Sequence, residues 1–327
     1  MNQETQTNST EIPFITQEWT LPQDIKGFNS TNAPGITASD KSLYLAFKGQ
    51  AATDRHSDHK INISRFEGKW GEAKIASYDA ENFQTGKSPA VTVFNNRLFL
   101  VWKDYQEKNI MIAYSYEFGK EPDAYSFFEY KEMLSFETSK PPALAVGRDS
   151  QDKEWLYMVW KGGEEPDLRW ARTNGSLDSK GKMIWIDAKK TGQSTDEGPS
   201  IAFLNGTLFL ARKAHETHDI RIASMDEMGN WNDIANQPPY LSKQGPAIAE
   251  YNGSLYLACK SDGSNNVYYS ESANGTDWPE KTTNIDQVFT DDHVAMTSSS
   301  RSLYLAYRAV NEDGQIKMCI YPSPKLQ

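Results

Sequence analysis

Histidine is the residue type whose spacing in this sequence first suggests chemistry. Four of the five histidines form two pairs with one spacing, His56-Ser57-Asp58-His59 and His215-Glu216-Thr217-His218, and the fifth is His293. Imidazole nitrogens ligate zinc or nickel, change charge between pH 5 and 8, and hydrogen-bond polar ligands. Loop histidines more commonly bind a neighbour or a hydroxyl group, so we expect no cofactor. A divalent metal at the HxxH pairs is the alternative.

Six cationic residues recur about once every fifty residues, each at the end of an apolar run. If their side chains share one surface, they form a ring of positive charge that attracts carboxylate, sulfate or phosphate. The alternative is structural, since a packing device repeats with a duplicated unit whereas a ligand site usually breaks the symmetry. The six residues are Lys48, Lys103, Lys161, Lys213, Lys260 and Arg308.

Tryptophan stands directly before two of these lysines. A pyranose has an apolar C–H face and a rim of hydroxyl groups, so flat rings beside charged donors suit a sugar. Trp102 and Trp160 are therefore candidate ligand contacts, together with the cations and the histidines. The competing interpretation places these aromatic rings in the gaps between packed sheets.

The elements that position these residues come from a sixfold repeat. Each copy has a run that is apolar on both faces, so its sheet must be covered on both sides. Before this run, each copy has another strand that starts near a Pro, and a tight turn such as Asn252-Gly253 joins the two. In several copies a strand that begins with Trp comes last. Six four-stranded antiparallel sheets in a ring, an all-β six-bladed β-propeller, satisfy these requirements. The six runs are SLYLAFKG, RLFLVWKD, WLYMVWKG, TLFLARKA, SLYLACKS and SLYLAYRA.

The two ends of the chain predict how the ring closes. The sixth unit lacks a Trp-led strand, but Glu18-Trp19-Thr20-Leu21-Pro22 resembles one. We therefore predict that the N-terminal strand completes the last blade. The predicted organisation is a flexible tail at 1–14 and a single propeller at 15–327, with the closing strand at 15–24 and blades near 33–80, 88–135, 141–190, 198–242, 245–288 and 292–324.

The composition excludes several kinds of partner. A net charge of −10 provides no basic field for nucleic acid. No apolar run approaches the roughly 18 residues of a membrane span, so we expect no membrane insertion. The N-terminal sequence lacks a basic and apolar leader, which predicts a cytoplasmic protein or one released without a classical signal peptide. Cys259 and Cys319 lie in strand-like runs, where we expect buried free thiols.

The repeats carry a resemblance to a known group of proteins. The stretch 245–260, with its Gly-Pro-Ala start and its Asn-Gly turn, resembles the propeller repeats of bacterial sialidase-like and lectin-like proteins. The stretch 224–231 is similar to the Asp-box hairpin of sialidases, with one extra residue before the Gly. The resemblance implies sugar binding. It argues against a catalytic sialidase, because the N-terminal arginine signature is missing and lysine holds the corresponding strand position in five of six blades.

These observations predict a carbohydrate-binding, lectin-like propeller whose ligand sites lie on the face that carries the cations and the histidines. Its partner would be a carbohydrate or another small polar or anionic ligand. One alternative is an enzyme with a single site at the mouth of the ring, acting on an anionic small molecule or a glycoside. Another is a scaffold for a protein partner or an accessory module of a toxin.

Overall fold

The chain folds into a closed ring of six β-sheets. The computed structural model describes residues 18–50, 57–120 and 126–322, whose regular secondary structure is all β-strand. Each of the six sheets has four antiparallel strands. The first strands of successive sheets pack against one another around the axis, and that of the sixth sheet packs against that of the first. The predicted six-bladed β-propeller is confirmed.

Within a blade the strands follow one another outwards from the axis as a meander. The first strand of the chain, β1 (Gln23–Asn29), belongs to blade 6. Blade 1 contains β2 (Gly35–Ala38), β3 (Leu43–Gln50), β4 (Ser57–Phe66) and β5 (Lys74–Ile75), and β6 (Ser77–Tyr78) and β7 (Glu81–Asn82) form a small hairpin beyond it. Blade 2 contains β8 (Ala90–Phe94), β9 (Arg97–Lys103), β10 (Asn109–Ser115) and β11 (Phe128–Glu137).

The remaining blades repeat this order. Blade 3 contains β12 (Ala143–Arg148), β13 (Glu154–Lys161), β14 (Asp167–Thr173) and β15 (Ile186–Ser194). Blade 4 contains β16 (Ser200–Leu204), β17 (Thr207–Lys213), β18 (Ile220–Met225) and β19 (Trp231–Asp233). Blade 5 contains β20 (Ala247–Tyr251), β21 (Ser254–Lys260), β22 (Asn266–Ser272) and β23 (Thr283–Phe289). Blade 6 contains β24 (Ala295–Ser298), β25 (Ser302–Arg308), β26 (Gln315–Pro322) and β1.

The N-terminal strand closes the ring, as predicted. β1 pairs with β26, and just before β1 the backbone N–H of Thr20 donates to the carbonyl of Ile320 over 2.8 Å. The strand itself begins only at Gln23, later than expected, because Pro22 has no N–H to offer the ladder. The predicted tail at 1–14 lies outside the described residues.

The axis of the ring is tight where the first strands begin. A Cβ atom on Gly245 would lie 2.4 Å from the carbonyl oxygen of Gly198, and one on Gly35 would lie 2.4 Å from that of Pro89. No side chain fits at such distances, so the close packing of neighbouring blades requires glycine at these two positions.

A buried hydroxyl group fixes each connection between blades. It lies four residues before the Pro of the blade, or before Val294 in blade 6, and its side chain is fully buried in all six blades. In blades 1 to 4 it donates to the carbonyl two residues further on, and in blades 5 and 6 it accepts from that residue's N–H. The six residues are Ser30, Thr85, Thr138, Thr195, Ser242 and Thr290.

The spaces between blades hold the hydrophobic core. The fully buried side chains include Trp102, Trp160, Trp170 and Tyr157, all from second and third strands. Cys259 and Cys319 are buried free thiols, as predicted. Nowhere in the described ranges is there a helix long and apolar enough to cross a membrane.

Candidate functional site

The ring has two faces that differ in their loops. One face carries the loops between second and third strands and the connections between blades, and we call it the cation face. The turn face carries the first-to-second strand turns, such as Asn205-Gly206, and the third-to-fourth strand loops, such as 226–230. The predicted cations and the four described histidines, His59, His215, His218 and His293, belong to the cation face.

Three of the predicted cations clamp the loop that follows them. In each case the lysine Nζ donates to the carbonyl oxygens one and four residues further along the chain, over 2.7 to 3.4 Å. These clamp lysines are Lys103, Lys161 and Lys260. Burial lowers the pKa of Lys103 and of Lys161. The ammonium groups therefore supply charged hydrogen-bond donors to the backbone carbonyls of these loops.

The other three cations also have contacts within the protein. Lys213 Nζ lies 2.7 Å from Asp196 Oδ2, Arg308 forms an ion pair with Asp291, and Lys48 is buried. These contacts support the structural alternative for the repeated cations. A role for the six in ligand binding stays a prediction.

Three histidines each bind an aspartate through Nδ1. His215 lies 2.5 Å from Asp196 within blade 4, and His293 lies 2.8 Å from Asp292 at the start of blade 6. His218 lies 2.6 Å from Asp262, which belongs to the loop of blade 5, so this pair joins two blades.

The carboxylate of Asp196 also accepts from Lys213 and from the backbone N–H of Glu216. Burial raises the pKa of Asp196, but the hydrogen bonds from Lys213, His215 and Glu216 outweigh burial and leave the pKa well below its usual range. Asp196 is therefore a negatively charged anchor for its loop at neutral pH.

The histidine pairs do not converge on a common site. His59 stacks on Tyr105 of blade 2 with ring centroids 3.7 Å apart, whereas His56 lies outside the described residues. His215 and His218 bind different carboxylates. In the described ranges, no three His, Cys, Asp or Glu side chains are grouped so that they could hold a metal ion.

Trp102 and Trp160 lie in the interior rather than at a rim. Their exposed fractions are 1% and 2%, and they stack on Phe83 and Phe136 with centroids 4.7 and 4.6 Å apart. The packing interpretation describes both rings. Contact with a ligand stays a prediction that the burial of these rings does not support.

The larger cavities open on the turn face, which the sequence did not single out. At the axis of the cation face, a cavity of about 140 Å³ lies among the blade starts, below the size of ordinary ligand pockets. On the turn face a basin of about 950 Å³ extends from the axis to the gap between blades 1 and 2. A second turn-face cavity of about 520 Å³ lies between blades 3 and 4, and we call it cleft 3/4.

Arg172 is the central polar group of cleft 3/4. It projects from β14 opposite Tyr157 of β13 and donates to the Tyr157 Oη over 3.4 Å. Its Nε donates to Asp187 Oδ2 over 2.8 Å, and its Nη1 lies 3.8 Å from Asp149 Oδ2. The guanidinium carbon lies 4.6 Å from the ring centroid of Trp155. These contacts fix the guanidinium while about a quarter of the side chain stays exposed.

Asp149 is fixed by the turn that it closes. Its carboxylate accepts from the backbone N–H groups of Gln151 and Lys153 and from Trp155 Nε1 at 2.7 Å. Burial raises the pKa of Asp149, but these hydrogen bonds and the charge of Arg172 outweigh burial, so the pKa is lowered. The cleft therefore presents an ionised acceptor beside the guanidinium.

Blade 4 supplies the opposite wall of cleft 3/4. Phe203 packs against Tyr157 edge to face, with centroids 5.2 Å apart. Asp226 Oδ1 accepts from the backbone N–H groups of Met228 and Asn230, which closes the loop and leaves Met228 82% exposed at the rim. The cleft thus combines fixed donors and acceptors with an apolar wall. That combination suits a small polar ring with hydroxyl groups.

Sequence reasoning missed Arg172 for a physical reason. The residue opposite Tyr157 is known only once the register of β13 and β14 is known, and no local motif marks it. The sequence contained only a weaker signal for this cleft. An aromatic residue stands four positions before the last cation of each second strand.

No protein-family model and no curated protein matches this chain. Similar solved structures include a Hadza microbial sialidase, with a TM-score of 0.63 and 12% identity over 89% of this chain and 65% of that one. An Aleuria aurantia lectin variant in complex with alpha-methyl-L-fucoside has a TM-score of 0.59 and 11% identity over 90% and 91% of the two chains. The Trypanosoma rangeli sialidase in complex with sialic acid has a TM-score of 0.58 and 11% identity over 90% and 54%.

The chain therefore spans less than two thirds of the length of either sialidase. At sequence identities this low, the comparisons show that the folds are shared and nothing more. The expected likeness to sialidase and lectin propellers is confirmed at that level.

Proposed function

We propose that this protein binds a neutral saccharide in cleft 3/4. The observation that carries the proposal is Arg172, held by Asp187 and Tyr157 at the base of a cavity of about 520 Å³. An arginine beside carboxylates donates to one sugar hydroxyl group and lets the carboxylate accept from the next. Phe203 and Met228 supply the apolar surface that the C–H face of a pyranose needs.

The charges of the cleft favour a neutral ligand over an acidic one. Arg148 and Arg172 line it together with four acidic residues, Asp149, Asp187, Asp226 and Glu227. A ligand carboxylate entering the cleft would meet this excess of negative charge, and Arg172 already has its own carboxylate partners.

Two of the similar folds support a saccharide as ligand. The Aleuria aurantia lectin was solved with a fucoside, and the Trypanosoma rangeli sialidase with sialic acid. Six-bladed rings of this kind therefore hold sugars in proteins whose sequences have diverged far from this one.

The ionisation of the acidic residues favours binding over hydrolysis. Glycoside hydrolysis normally needs a carboxyl group with a raised pKa as general acid. In cleft 3/4, hydrogen bonds outweigh burial and lower the pKa of Asp149 and of Asp226, so these two carboxyl groups are acceptors rather than proton donors at neutral pH.

Calorimetric titration with the methyl glycosides of fucose, galactose, glucose and xylose, and with sialic acid, tests the proposal. We expect a neutral glycoside to bind and Arg172→Gln to weaken its binding in cleft 3/4 at least tenfold. Arg169→Gln is the matched control, because Arg169 lies on the same strand and pairs with Glu165 at the cation-face end. Absence of glycoside binding, or an Arg172→Gln variant that binds with the affinity and the number of sites of the wild type, would overturn the proposal.

A further inference from the structure

We infer that the chain carries a second, equivalent saccharide site on the turn face, between blades 1 and 2. We call it cleft 1/2. The inference rests on the proposed function of cleft 3/4 and adds a site that neither the repeats nor the fold alone assigns. One molecule would then hold two ligands of the same chemical class.

The register of the strands places the same pair of side chains in both clefts. Tyr44 of β3 lies opposite Arg65 of β4, as Tyr157 lies opposite Arg172. Both tyrosines stand four residues before the last lysine of their strand. The Arg65 guanidinium carbon lies 5.9 Å from the Tyr44 ring centroid, and Arg65 Nε donates to Ser42 Oγ over 3.1 Å.

The other four blades keep the aromatic residue but have no arginine opposite it. Two clefts of the six therefore contain the pair, and they belong to alternate blades. The corresponding pairs elsewhere are Phe99 with Tyr114, Phe209 with Ser224, Tyr256 with Glu271, and Tyr304 with Ile320.

The wall that faces each pair is also repeated. Blades 2 and 4 each supply a first-strand apolar residue four positions after the blade Pro, a turn that starts with Asn, and a Glu-x-Gly loop with the Gly at positive φ. In blade 2 these are Val93, Asn95-Asn96 and Glu117-Phe118-Gly119, and in blade 4 they are Phe203, Asn205-Gly206 and Glu227-Met228-Gly229.

The two walls carry their phenyl ring at different positions, one on the first strand and the other in the loop. In cleft 3/4 the phenyl ring beside the tyrosine comes from Phe203 on the first strand. In cleft 1/2 that strand position is Val93, and Phe118 of the loop stacks on Tyr44 instead, with centroids 5.4 Å apart and an interplanar angle of 5°. Each cleft therefore retains one phenyl ring from the next blade against its tyrosine.

The chemistry of cleft 1/2 matches that of cleft 3/4. Arg65 forms an ion pair with Glu67, as Arg172 does with Asp187, so each guanidinium has an acidic neighbour. Tyr44, Arg65, Val93, Asn96 and Phe118 all line the basin of about 950 Å³. Because this space is larger, cleft 1/2 can hold a longer saccharide whose terminal sugar ring binds as it does in cleft 3/4.

Two readouts on the full chain separate the clefts, with the tightest-binding methyl glycoside as the probe. Trp170 lines cleft 3/4, whereas no tryptophan among the described residues lines the basin that contains cleft 1/2. We expect calorimetry to count two sites per chain and tryptophan fluorescence to report cleft 3/4 alone. Arg65→Gln should reduce the count to one and leave the fluorescence titration unchanged. Arg172→Gln should leave one site and abolish the fluorescence response, and the double variant should bind nothing.

Arg169→Gln is the control and should retain two sites. If Arg65→Gln does not fold, Phe118→Ala replaces it, because Phe118 is a half-buried loop side chain. A wild-type count of one that neither the Arg65 nor the Phe118 variant lowers would overturn this inference and leave the proposed function standing. A wild-type chain that binds none of the glycosides would overturn both.

Discussion

Asp292 of blade 6 accepts a hydrogen bond from the backbone N–H of Ala33 in blade 1 over 2.9 Å. Its other oxygen binds His293 through both Nδ1 and the backbone N–H, each over 2.8 Å. One carboxylate thus joins the last blade to the first on the cation face, where the ring closes. Burial raises the pKa of Asp292, but His293 and the two backbone donors outweigh burial and leave the pKa lowered.

We expect Asp292→Asn to destabilise the fold by about 1–3 kcal/mol at pH 7, since hydrogen bonds to a charged group are lost. The folded pKa lies below the unfolded value of about 4, so this contribution is present above pH 4 and is lost as the pH falls towards the folded pKa. Urea unfolding of both proteins between pH 3 and 8 measures the difference. Asp286→Asn, at an exposed position of blade 5, is the control. A difference that does not shrink below pH 4 would contradict the assignment.

The Cβ distance at Gly245 predicts a second effect on stability. Gly245→Ala would bring a methyl group to 2.4 Å from the Gly198 carbonyl, so the starts of two blades must separate. We expect a loss of about 1–3 kcal/mol, as for other overpacked sites. Gly263→Ala is the matched control, because no atom lies within 4 Å of its Cβ position. Thermal unfolding compares the two variants, and equal melting temperatures would show that the axis can relax.

The ring of six blades could be predicted from the sequence because the patterns that indicate it are short and occur in every repeat. The start of each first strand and the cation that ends each second strand recur six times, and Trp19 identifies the strand that closes blade 6. The buried hydroxyl groups that fix the connections were also within reach, since they occupy one register position from Ser30 to Thr290. They were missed because single Ser and Thr residues stand out only after the repeats are aligned.

The candidate site could not be predicted in the same way. Cleft 3/4 depends on Arg172 lying opposite Tyr157 in the neighbouring strand and on Phe203 of the next blade packing against Tyr157, and neither contact leaves a pattern in the sequence. Trp102 directly precedes a cation and was a candidate ligand contact, with packing between sheets as the competing interpretation. A strand covered on both faces buries its side chains almost to its last residue, which agrees with the packing interpretation.

The clamp role of the lysines is testable at Lys260. Lys260→Met would leave the carbonyls of Ser261 and Ser264 without their charged donor, so we expect a loss of about 1–3 kcal/mol. Amide hydrogen exchange in the 261–266 loop should become faster, while glycoside binding on the other face should not change. The exposed Lys243→Met is the control. A loss of glycoside binding without faster exchange would instead favour the predicted cationic ligand ring.

Asp187 predicts how the ligand preference of cleft 3/4 can be changed. Asp187→Asn removes the nearer of the two carboxylates beside Arg172, at 2.8 Å, and leaves Asp149 at 3.8 Å, so the guanidinium attracts a ligand carboxylate more strongly. Asparagine tolerates the left-handed backbone of this position, where φ is 61°. We expect the affinity for sialic acid or a methyl glucuronide, relative to a neutral glycoside, to rise about tenfold. Calorimetric titration of both ligand types measures this ratio.

Asp152→Asn is the matched control for this prediction. Asp152 has a φ of 60° but its side chain is 84% exposed and pairs with Arg148 rather than Arg172. The same substitution therefore changes the net charge of the protein equally and leaves the partner of Arg172 in place. An equal shift in preference in both variants would show that the effect is not specific to Arg172, since Asp152 pairs with Arg148 at the same cleft. A shift confined to Asp187→Asn would assign it to the guanidinium in the cleft, because only there does the lost carboxylate touch Arg172.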